Sequence, residues 1–393
     1  MAKFGLDVLI ADFPKQLVSK RVGVVCHAAS VDSSYRHIID VLAGSGQCVL
    51  ATVFGPQHGL FGQTQDNMVE WEGSAHPRLG IPVYSLYGKH RKPAKKMLDG
   101  LDALIFDVQD VGARPYTYVW TLKHCMEACA EAGIPVWVLD RPNPIGLVGI
   151  DGPMLSERFF SFVGGAAIPL CHRMTMGEMA LLVRNLYVNG ADVNVVWMDG
   201  WPRGSLWSGT GLPWVLPSPN MPTLDTAVVY PGQVLLEATN LSEGRGTTRP
   251  FELFGAPFID AVELISLLNG ANLPGCIFRE HGFIPTFQKW HGQFCGGVQI
   301  HVTDAKIFHP VQTTAAILCA VIKLYGGQFK FKDPPYEYEY EKMPFDILAG
   351  DSGMRKALLA GESAEAMRAL WEEDYGAWRE MFESVAHYRE RLP

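Results

Sequence analysis

The sequence predicts an α/β fold: a larger N-terminal domain built on a parallel sheet, followed by a smaller α+β domain. Over the first third of the chain, short runs that are apolar throughout alternate with helical patterns. This alternation is typical of a parallel sheet covered by helices on both faces. The later part mixes strands and helices without such regularity. With 393 residues, the chain is long enough for two domains.

In the first domain, β-branched and aromatic residues fill the apolar runs, and glycine, proline and polar residues separate them. The predicted strands are residues 21–26, 49–54, 82–86, 103–108, 134–139 and 193–198. Apolar residues at helical spacing predict helices over residues 35–43, 118–132 and 176–187. Gly133 ends the second of these helices.

The domain boundary is predicted at the end of a long irregular stretch, residues 201–225, which holds five prolines and three tryptophans. Irregular stretches of this length in compact proteins are usually functional. The two domains are therefore placed at residues 1–226 and 227–393. In the second domain the predicted strands are residues 228–236 and 297–302, and the predicted helices are residues 259–268, 311–325 and 365–389.

The composition is that of a folded globular protein, with 48% hydrophobic and 19% charged residues. A net charge of −8 argues against nucleic acid as a partner, because phosphate binding requires a basic face. No apolar run reaches the roughly 18 residues of a membrane span. The N-terminus does not resemble a signal peptide, and the eight cysteines show no CxxC pair. These features favour a cytoplasmic protein with reduced thiols.

Polar side chains follow three of the predicted strands, at the point where each strand ends. Because ligands of a parallel sheet lie at the carboxyl ends of its strands, three such ends predict a binding site there. The side chains that follow these strands are Gln57 and His58, then Asp107, Gln109, Asp110, Arg114 and Tyr116, then Asp140, Arg141 and Asn143.

The motifs of common cofactors and hydrolases are absent from the sequence. It contains neither GxGxxG nor GxxxxGK[ST], so no dinucleotide or nucleotide is expected as a cofactor. It contains no HExxH and no GxSxG. A metal site built from His58, His172 or His291 is the less favoured alternative, because lone histidines are usually structural. The remaining carboxylates, amides, arginines and aromatic residues are typical of carbohydrate chemistry.

The stretch TNLSEGRGTTRPFE, residues 239–252, holds the strongest candidates for that chemistry. Glu243 is the first choice for a general acid or base, and a structural ion pair, Glu243 with Arg245 or Glu252 with Arg249, is an equal alternative. Arg114, like the two arginines of this stretch, could bind an anionic substrate group or close the domain interface. The strand-end aspartates could be catalytic or could cap turns.

Five long motifs together resemble the family of NamZ-type exo-β-N-acetylmuramidases. They are FGPQHGLFG, LIFDVQDVGARPYTY, VLDRPNPIG, LPSPNMPTLDTAVVYPG and EATNLSEGRGTTRPFELFGAPFID. The resemblance implies a Rossmann-like N-terminal domain, a smaller C-terminal domain and an active-site cleft between them. It also implies exo-hydrolysis that releases N-acetylmuramic acid from the non-reducing ends of peptidoglycan fragments, without a metal or nucleotide. The expected partner is thus a small carbohydrate, and the oligomeric state is left open.

On this resemblance Glu243 is expected to be the acid or base, with Gln57 and His58 on the anomeric side of the sugar. The lactyl carboxylate of the substrate would explain the need for arginine. The residues expected to line the site are Asp107, Gln109, Asp110, Arg114, Tyr116, Asp140, Arg141, Asn143, Asn220, Asp225, Asn240, Arg245 and Arg249.

One departure from the family pattern concerns Gln57, because related chains carry PEHG where this chain has PQHG. A glutamine cannot act as a general acid or base near neutral pH. Gln57 could orient a water or the acetamido group while the substrate's own acetamido oxygen attacks, or Asp66, Glu70 or Asp110 could replace the missing acid. The chain could also be a weakened relative that binds amino sugars or muropeptides. A phosphosugar isomerase or lyase is a further rival, which no glycine-rich loop supports.

Overall fold

A computed structural model describes residues 2–66 and 68–388. Twelve strands are formed within these ranges. In chain order they are β1 Arg21–Cys26, β2 Val49–Gly55, β3 Ser74–Ala75, β4 Pro82–Ser85, β5 Ala103–Asp107, β6 Val136–Leu139, β7 Asp151–Met154, β8 Pro169–Cys171, β9 Val193–Val196, β10 Leu253–Ala256, β11 Cys276–Glu280 and β12 Gly296–Val302.

Twelve α-helices accompany the strands in the described part of the chain. They are α1 Gly5–Ala11, α2 Ile38–Ser45, α3 Lys95–Leu98, α4 Tyr118–Ala132, α5 Met176–Leu186, α6 Leu224–Gln233, α7 Ala261–Asn269, α8 Pro310–Tyr325, α9 Pro344–Ala349, α10 Gly353–Ala360, α11 Ala364–Glu373 and α12 Tyr375–Val385. Among the described residues, none of these helices has both the length and the apolar character required to span a bilayer.

The predicted parallel sheet is confirmed. Seven strands pair in the order β3-β4-β2-β1-β5-β6-β9, and every pair is parallel except that of the short edge strand β3 with β4. Without β3, this is the strand order of a doubly wound Rossmann-type sheet. The order reverses at β1, so the crevice beyond the carboxyl ends of β1 and its two neighbours is where such folds bind ligands.

Helices cover both faces of the sheet, which explains why its strands are apolar throughout. Val22 and Val24 of β1 pack on one face with the buried side chains of α1 and α2. Val25 lies on the opposite face and joins the larger core formed with α4 and α5. Since successive side chains of a strand point to opposite faces, a strand covered on both sides shows no polar alternation.

The second part of the chain contains the antiparallel sheet β10-β12-β11, packed with helices α6 and α7. The predicted strand over residues 228–236 is wrong. Thr223 instead caps helix α6 by accepting a hydrogen bond from the Thr226 amide, and a 3₁₀ helix, Val234–Ala238, follows. Both helices are buried over nearly their whole length, and a helix that is apolar on every side cannot be told from a buried strand by periodicity.

The predicted helix over residues 365–389 is divided in the structure. It consists of α11 and α12, with Asp374 between them, and residue 389 lies outside the described ranges. The predicted domain boundary between residues 226 and 227 falls inside helix α6. Buried residues of α6 belong to a core that includes residues of both parts, so the division into residues 1–226 and 227–393 stays a prediction.

Candidate active site

A cavity lies between the carboxyl edge of the parallel sheet and the second part of the chain, and its enclosed space is about 30 Å³. A space of this size holds about one or two water molecules. Its lining comes from loops of both parts: Gln57, His58, Pro115, Tyr116, Thr117, Tyr118, Val163, Ser218, Asn220, Met221, Tyr230, Glu237, Arg245, Phe251, Tyr336 and Glu337.

The N-terminal wall begins where β2 ends and the chain turns through Pro56. Gln57 is buried, and its side-chain oxygen accepts a 2.6 Å hydrogen bond from the Thr117 hydroxyl. Thr117 precedes helix α4, which follows β5. The Tyr118 hydroxyl donates to the Pro217 carbonyl at 2.9 Å and so pins the irregular stretch 201–225 against this wall. The loops after two strands and the long irregular stretch therefore meet at Gln57.

His58 presents a neutral imidazole to the cavity. Its backbone has a φ of 70°, and its Nδ1 lies 2.7 Å from the Thr64 carbonyl oxygen. Burial lowers the pKa of His58 to about 4, a shift that the hydrogen bond to Thr64 opposes and the charge of Arg245 reinforces. Because a carbonyl only accepts, Nδ1 carries the proton and Nε2 is left as an acceptor. His58 can therefore accept a hydrogen bond from a ligand hydroxyl or amide.

The C-terminal wall is built on a buried ion pair between Glu237 and Arg245. Arg245 Nη2 donates to Glu237 Oε1 at 2.7 Å, and the Tyr336 hydroxyl donates to the other oxygen at 2.7 Å. Arg245 Nε lies 3.2 Å from Glu243 and forms an ion pair with it, without a hydrogen bond. Arg245 Nη1 is buried without a hydrogen-bond partner among residues 2–66 and 68–388. An arginine held by two carboxylates with one free nitrogen is suited to bind an anionic ligand group.

A second carboxyl group, that of Glu337, also lines the cavity and is 3% exposed. The Tyr87 hydroxyl lies 3.0 and 3.3 Å from its two oxygens. Burial raises the pKa of Glu337 to about 7, and the charge of Glu237 adds to this, while the hydrogen bond from Tyr87 and the charge of Arg245 oppose it. Glu337 can thus hold a proton near neutral pH, as a general acid must.

The two carboxyl groups of the cavity differ in environment. Glu237 is bound to the guanidinium of Arg245, whereas Glu337 is bound only by a tyrosine hydroxyl among the hydrogen bonds described for it. When different surroundings give two carboxyl groups of a site different pKa values, one of them commonly acts as the acid and the other as the base. The cavity therefore offers a carboxyl group that can donate a proton, Glu337, and a second one paired with a guanidinium, Glu237.

Five of the residues predicted from the sequence line the cavity together. Gln57, His58 and Tyr116 come from the strand-end loops, and Arg245 comes from the 239–252 stretch. Asn220 is held by the loop between β2 and β3, since its side-chain nitrogen donates to the Gln65 carbonyl at 2.6 Å.

Glu243 lies behind Arg245 and outside the cavity lining. It is 1% exposed, and its carboxylate lies 2.5 Å from the ammonium of Lys289. Burial alone would raise the pKa of Glu243, but the charges of Lys289 and Arg245 outweigh it and hold that pKa below its ordinary value. This is the ion-pair alternative of the sequence analysis, and the catalytic role of Glu243 stays a prediction.

The remaining strand-end residues lie outside the cavity lining and hold the loops beneath it. Asp107 forms an ion pair with Arg141 at 2.5 Å, and Asp140 accepts hydrogen bonds from the Thr175 hydroxyl and the Gly177 amide. The others form hydrogen bonds with nearby backbone. The side-chain nitrogen of Gln109 donates to the carbonyls of Asp110 and Pro142, and the Asp110 carboxylate accepts from the Gly112 amide. The Asn143 side chain accepts from the Ile145 amide and donates to the Met174 carbonyl.

Arg114 joins the two parts of the chain and does not reach the cavity lining. Its guanidinium is fully buried, and it donates to four backbone carbonyls, those of Pro153, Ile168, Leu348 and Ala349. This is the domain-closing alternative considered for the arginines.

Three further predicted residues also lie away from the lining. Arg249 pairs with Glu252 at 3.2 Å, and Asp225 lies 4.0 Å from Arg249 with its side chain 78% exposed. Asn240 bonds to the backbone of Gln328 and Lys330.

The proposed replacements for Gln57 are likewise outside the lining. Asp66 accepts a hydrogen bond from Gln288, and Glu70 accepts one from the Tyr338 hydroxyl at 3.0 Å. Within residues 2–66 and 68–388, no group of three or more histidine, cysteine or acidic side chains is arranged to hold a metal ion.

Neither carboxyl group of the cavity is among the residues predicted from the sequence. Glu237 directly follows the apolar run 228–236, for which the sequence predicts a strand, and an acidic residue at the end of such a run is a recognisable signal. Glu337 belongs to the segment PPYEYEYEK, in which acidic residues alternate with tyrosines as on an exposed strand. Residues 337 and 338 both have positive φ values, 43° and 69°, and the resulting tight turn buries Glu337.

Comparison with known proteins agrees with this fold. Family models described as exo-β-N-acetylmuramidase NamZ, N-terminal and C-terminal, match residues 22–225 and 228–388. A Bacillus subtilis (strain 168) protein named peptidoglycan β-N-acetylmuramidase NamZ is 45% identical over 361 residues, which is 92% of this chain and 85% of that protein.

Two crystal structures of DUF1343 family proteins from Bacteroides fragilis NCTC 9343 are also similar. One has a TM-score of 0.87 and 32% identity and covers 99% of each chain. The other has a TM-score of 0.77 and 28% identity and covers 100% of each chain. Since the two family models together span most of its length, this chain belongs to the NamZ exo-β-N-acetylmuramidase family.

Proposed function

We propose that this protein is an exo-acting glycoside hydrolase that releases N-acetylmuramic acid from the non-reducing ends of peptidoglycan fragments. Family membership and the name of the Bacillus subtilis relative support the substrate class. The observation that carries the proposal is Glu337, a buried carboxyl group that lines the cavity beside the Tyr87 hydroxyl. Burial raises the pKa of this group to about 7. Glycoside hydrolysis requires such a group at the leaving oxygen.

In the proposed mechanism Glu337 donates its proton to the glycosidic oxygen as the bond to the anomeric carbon breaks. The free nitrogen of Arg245 binds the lactyl carboxylate of the sugar and fixes its position in the cavity. Gln57 and His58 bind the acetamido group and a ring hydroxyl of the sugar, because Gln57 offers a side-chain amide and His58 offers an imidazole nitrogen that accepts. The aromatic rings of Tyr116 and Tyr230 lie in the lining and provide apolar contact.

Gln57 is compatible with hydrolysis if the acetamido oxygen of the substrate attacks the anomeric carbon. The attack forms a cyclic intermediate and expels the leaving group, and a water molecule then opens the ring with Glu337 accepting its proton. Glu237 supplies the second carboxylate, whose negative charge stabilises the positive charge that develops on the sugar. Glu243 acts in this scheme through Arg245, which it orients.

The test is hydrolysis of a disaccharide with a β-N-acetylmuramyl group on the 4-oxygen of N-acetylglucosamine, by the wild type and by Glu337→Gln, because a sugar leaving group must be protonated as it departs. Glu341→Gln is the matched control, because Glu341 lies on the same segment and is exposed. We expect wild-type turnover, a loss of about 10²–10⁴-fold in kcat for Glu337→Gln and no change for the control. A wild type that binds N-acetylmuramic acid without turnover would favour the binding-protein alternative. Unchanged kcat in Glu337→Gln would remove Glu337 from the mechanism.

We further infer that the protein recycles wall fragments inside the cell. All eight cysteines are free and five of them are buried, as is common in proteins kept in a reducing compartment. Fractionation of producing cells tests this, and recovery of the protein outside the cytoplasm would contradict it.

A further inference from the structure

Lys289 lies directly behind the C-terminal wall of the cavity, although it does not belong to the lining. Its ammonium lies 2.5 Å from the Glu243 carboxylate and donates to the carbonyls of Leu236, at 2.8 Å, and Thr239, at 3.2 Å. The two carbonyls accept hydrogen bonds from the ammonium, and its contact with Glu243 is an ion pair. The side chain is 12% exposed, and an unpaired charge at this depth would be costly.

The contacts of Lys289 flank a cavity residue on both sides. Leu236 and Thr239 enclose Glu237 in the chain, and their carbonyls are bound by one ammonium. The backbone that carries Glu237 is therefore fixed from behind.

The third contact of Lys289, with Glu243, is the first of a series of ion pairs that ends at the cavity. Lys289 binds Glu243, Glu243 binds Arg245, and Arg245 binds Glu237. The Arg245 guanidinium also lies 5.0 Å from the ring centre of Phe251. Each charged group is thus held on at least one side by a group of opposite sign.

We infer that Lys289 is a positioning residue for the reaction: it clamps the segment that carries Glu237 and, through Glu243, orients the free guanidinium nitrogen of Arg245 toward the substrate. This inference rests on the proposed function for the identity of the ligand. Groups of a site must be held to within about half an ångström by supporting contacts. A displacement of about 1 Å is sufficient to reduce turnover by roughly 100-fold.

The loop around Lys289 is attached by other contacts, so its charge can be removed without releasing the loop. Gln288 donates to Asp66 on one side, and Trp290 donates to the Asn240 carbonyl at 2.7 Å on the other. Lys289→Met keeps the apolar stem and removes the ammonium. Lys332→Met is the matched control, since Lys332 is exposed and its charge acts on Lys289.

The experiment compares kcat and KM for 4-nitrophenyl β-N-acetylmuramide and the Kd of N-acetylmuramic acid by calorimetry. For Lys289→Met we expect KM and Kd to rise about tenfold and kcat/KM to fall about 100-fold. Lys332→Met is expected to stay within about twofold of wild type, as removal of an exposed charge has little effect. A lysine that only stabilises the fold would lower the melting temperature and the active fraction, and hence kcat, with KM and Kd unchanged. That result would overturn the inference.

A crystal structure of Lys289→Met decides the matter without a ligand. We expect Arg245 and Glu237 to be displaced, and unmoved side chains would overturn the inference. A wild type that neither cleaves nor binds the sugar would instead refute the proposed function, and the positions of Arg245 and Glu237 in the variant would still test the role of Lys289.

Discussion

The stability of the folded protein should depend on the protonation of Glu337, and Glu337→Gln should reveal this. Burial raises the pKa of this carboxyl group from its ordinary 4.5 to about 7. At about 1.4 kcal/mol for each pH unit, the difference corresponds to about 3.5 kcal/mol between the protonated and charged forms. The folded state therefore favours a neutral side chain at position 337, which glutamine supplies with nearly the same shape.

The sign of the effect follows from which state holds the proton more tightly. Because the folded-state pKa lies above the unfolded one, the stabilising contribution of Glu337 is fully present below pH 4.5. It is lost as the pH rises to about 7. Above that pH the wild type carries a buried charge that the glutamine variant lacks. Glu337→Gln should thus be more stable than wild type at pH 8.5, and much of this advantage should be absent at pH 5.

The assay is thermal unfolding of both proteins at pH 5 and pH 8.5, with Glu341→Gln as the exposed control. We expect the melting temperature of Glu337→Gln, relative to wild type, to be higher at pH 8.5 than at pH 5 by a few degrees. The control should show the same difference from wild type at both pH values. The reasoning is refuted if the melting temperature of Glu337→Gln differs from that of wild type by the same amount at both pH values. The wild-type carboxyl group would then have the same pKa in the folded and unfolded states.

Three further substitutions test other parts of the site. Gln57→Glu adds a buried negative charge to the cavity, so the pKa of Glu337 should rise and the alkaline limb of the kcat/KM profile should move to higher pH; an unmoved limb would contradict this. Arg245→Met leaves two buried carboxylates without their shared partner, and we expect a loss of about 3–5 kcal/mol in unfolding free energy together with weaker binding of N-acetylmuramic acid by calorimetry. Arg114→Met removes the guanidinium donor from four buried carbonyls, of which that of Ile168 keeps the Leu155 amide as a donor. Since each carbonyl left without a donor costs about 1–3 kcal/mol, the melting temperature should fall while KM of the folded enzyme stays unchanged, whereas an altered KM would indicate a role in binding.

The sequence could predict where the sheet places its ligand but not which strand ends reach it. Gln57 follows β2 and Tyr116 follows β5, and these strands flank β1, where the strand order reverses. Asp140 and Asn143 follow β6, one strand further from the crevice, and their side chains bond to nearby loops. All three ends carry polar residues in the sequence, and the order of strands in the sheet explains only why the end of β6 stays outside. Asp107, Gln109 and Asp110 at the end of β5 also lie outside the lining, because their side chains bond to neighbouring loops.

The second wall could not be predicted because its parts are far apart in the sequence. Glu337 lies 250 residues from Tyr87, which donates to it, and a tight turn with two positive φ values buries it. The periodicity of apolar residues shows whether a helix or strand has an apolar face. A turn has no such face, so periodicity cannot reveal a buried acidic residue inside it. The sequence predicts the ion pair of Glu243 and Arg245 as one alternative, but only the structure shows that Glu243 is buried behind the cavity.

The charges around the cavity explain why an anionic sugar would suit this site. Lys289 and Arg245 carry two positive charges, Glu243 and Glu237 carry two negative charges, and Glu337 is neutral when protonated. A bound carboxylate adds a negative charge beside Arg245, which disfavours the ionised form of Glu337.

The substrate would then keep its own general acid protonated. The alkaline limb of kcat, which reports the complex, should accordingly lie at higher pH than the limb of kcat/KM, which reports the free enzyme. A β-N-acetylglucosaminide lacks the lactyl carboxylate, so with that substrate the two limbs should coincide. Coincident limbs with the muramide would show that Arg245 fully compensates the added charge. The preference for muramic acid would then reside in binding alone.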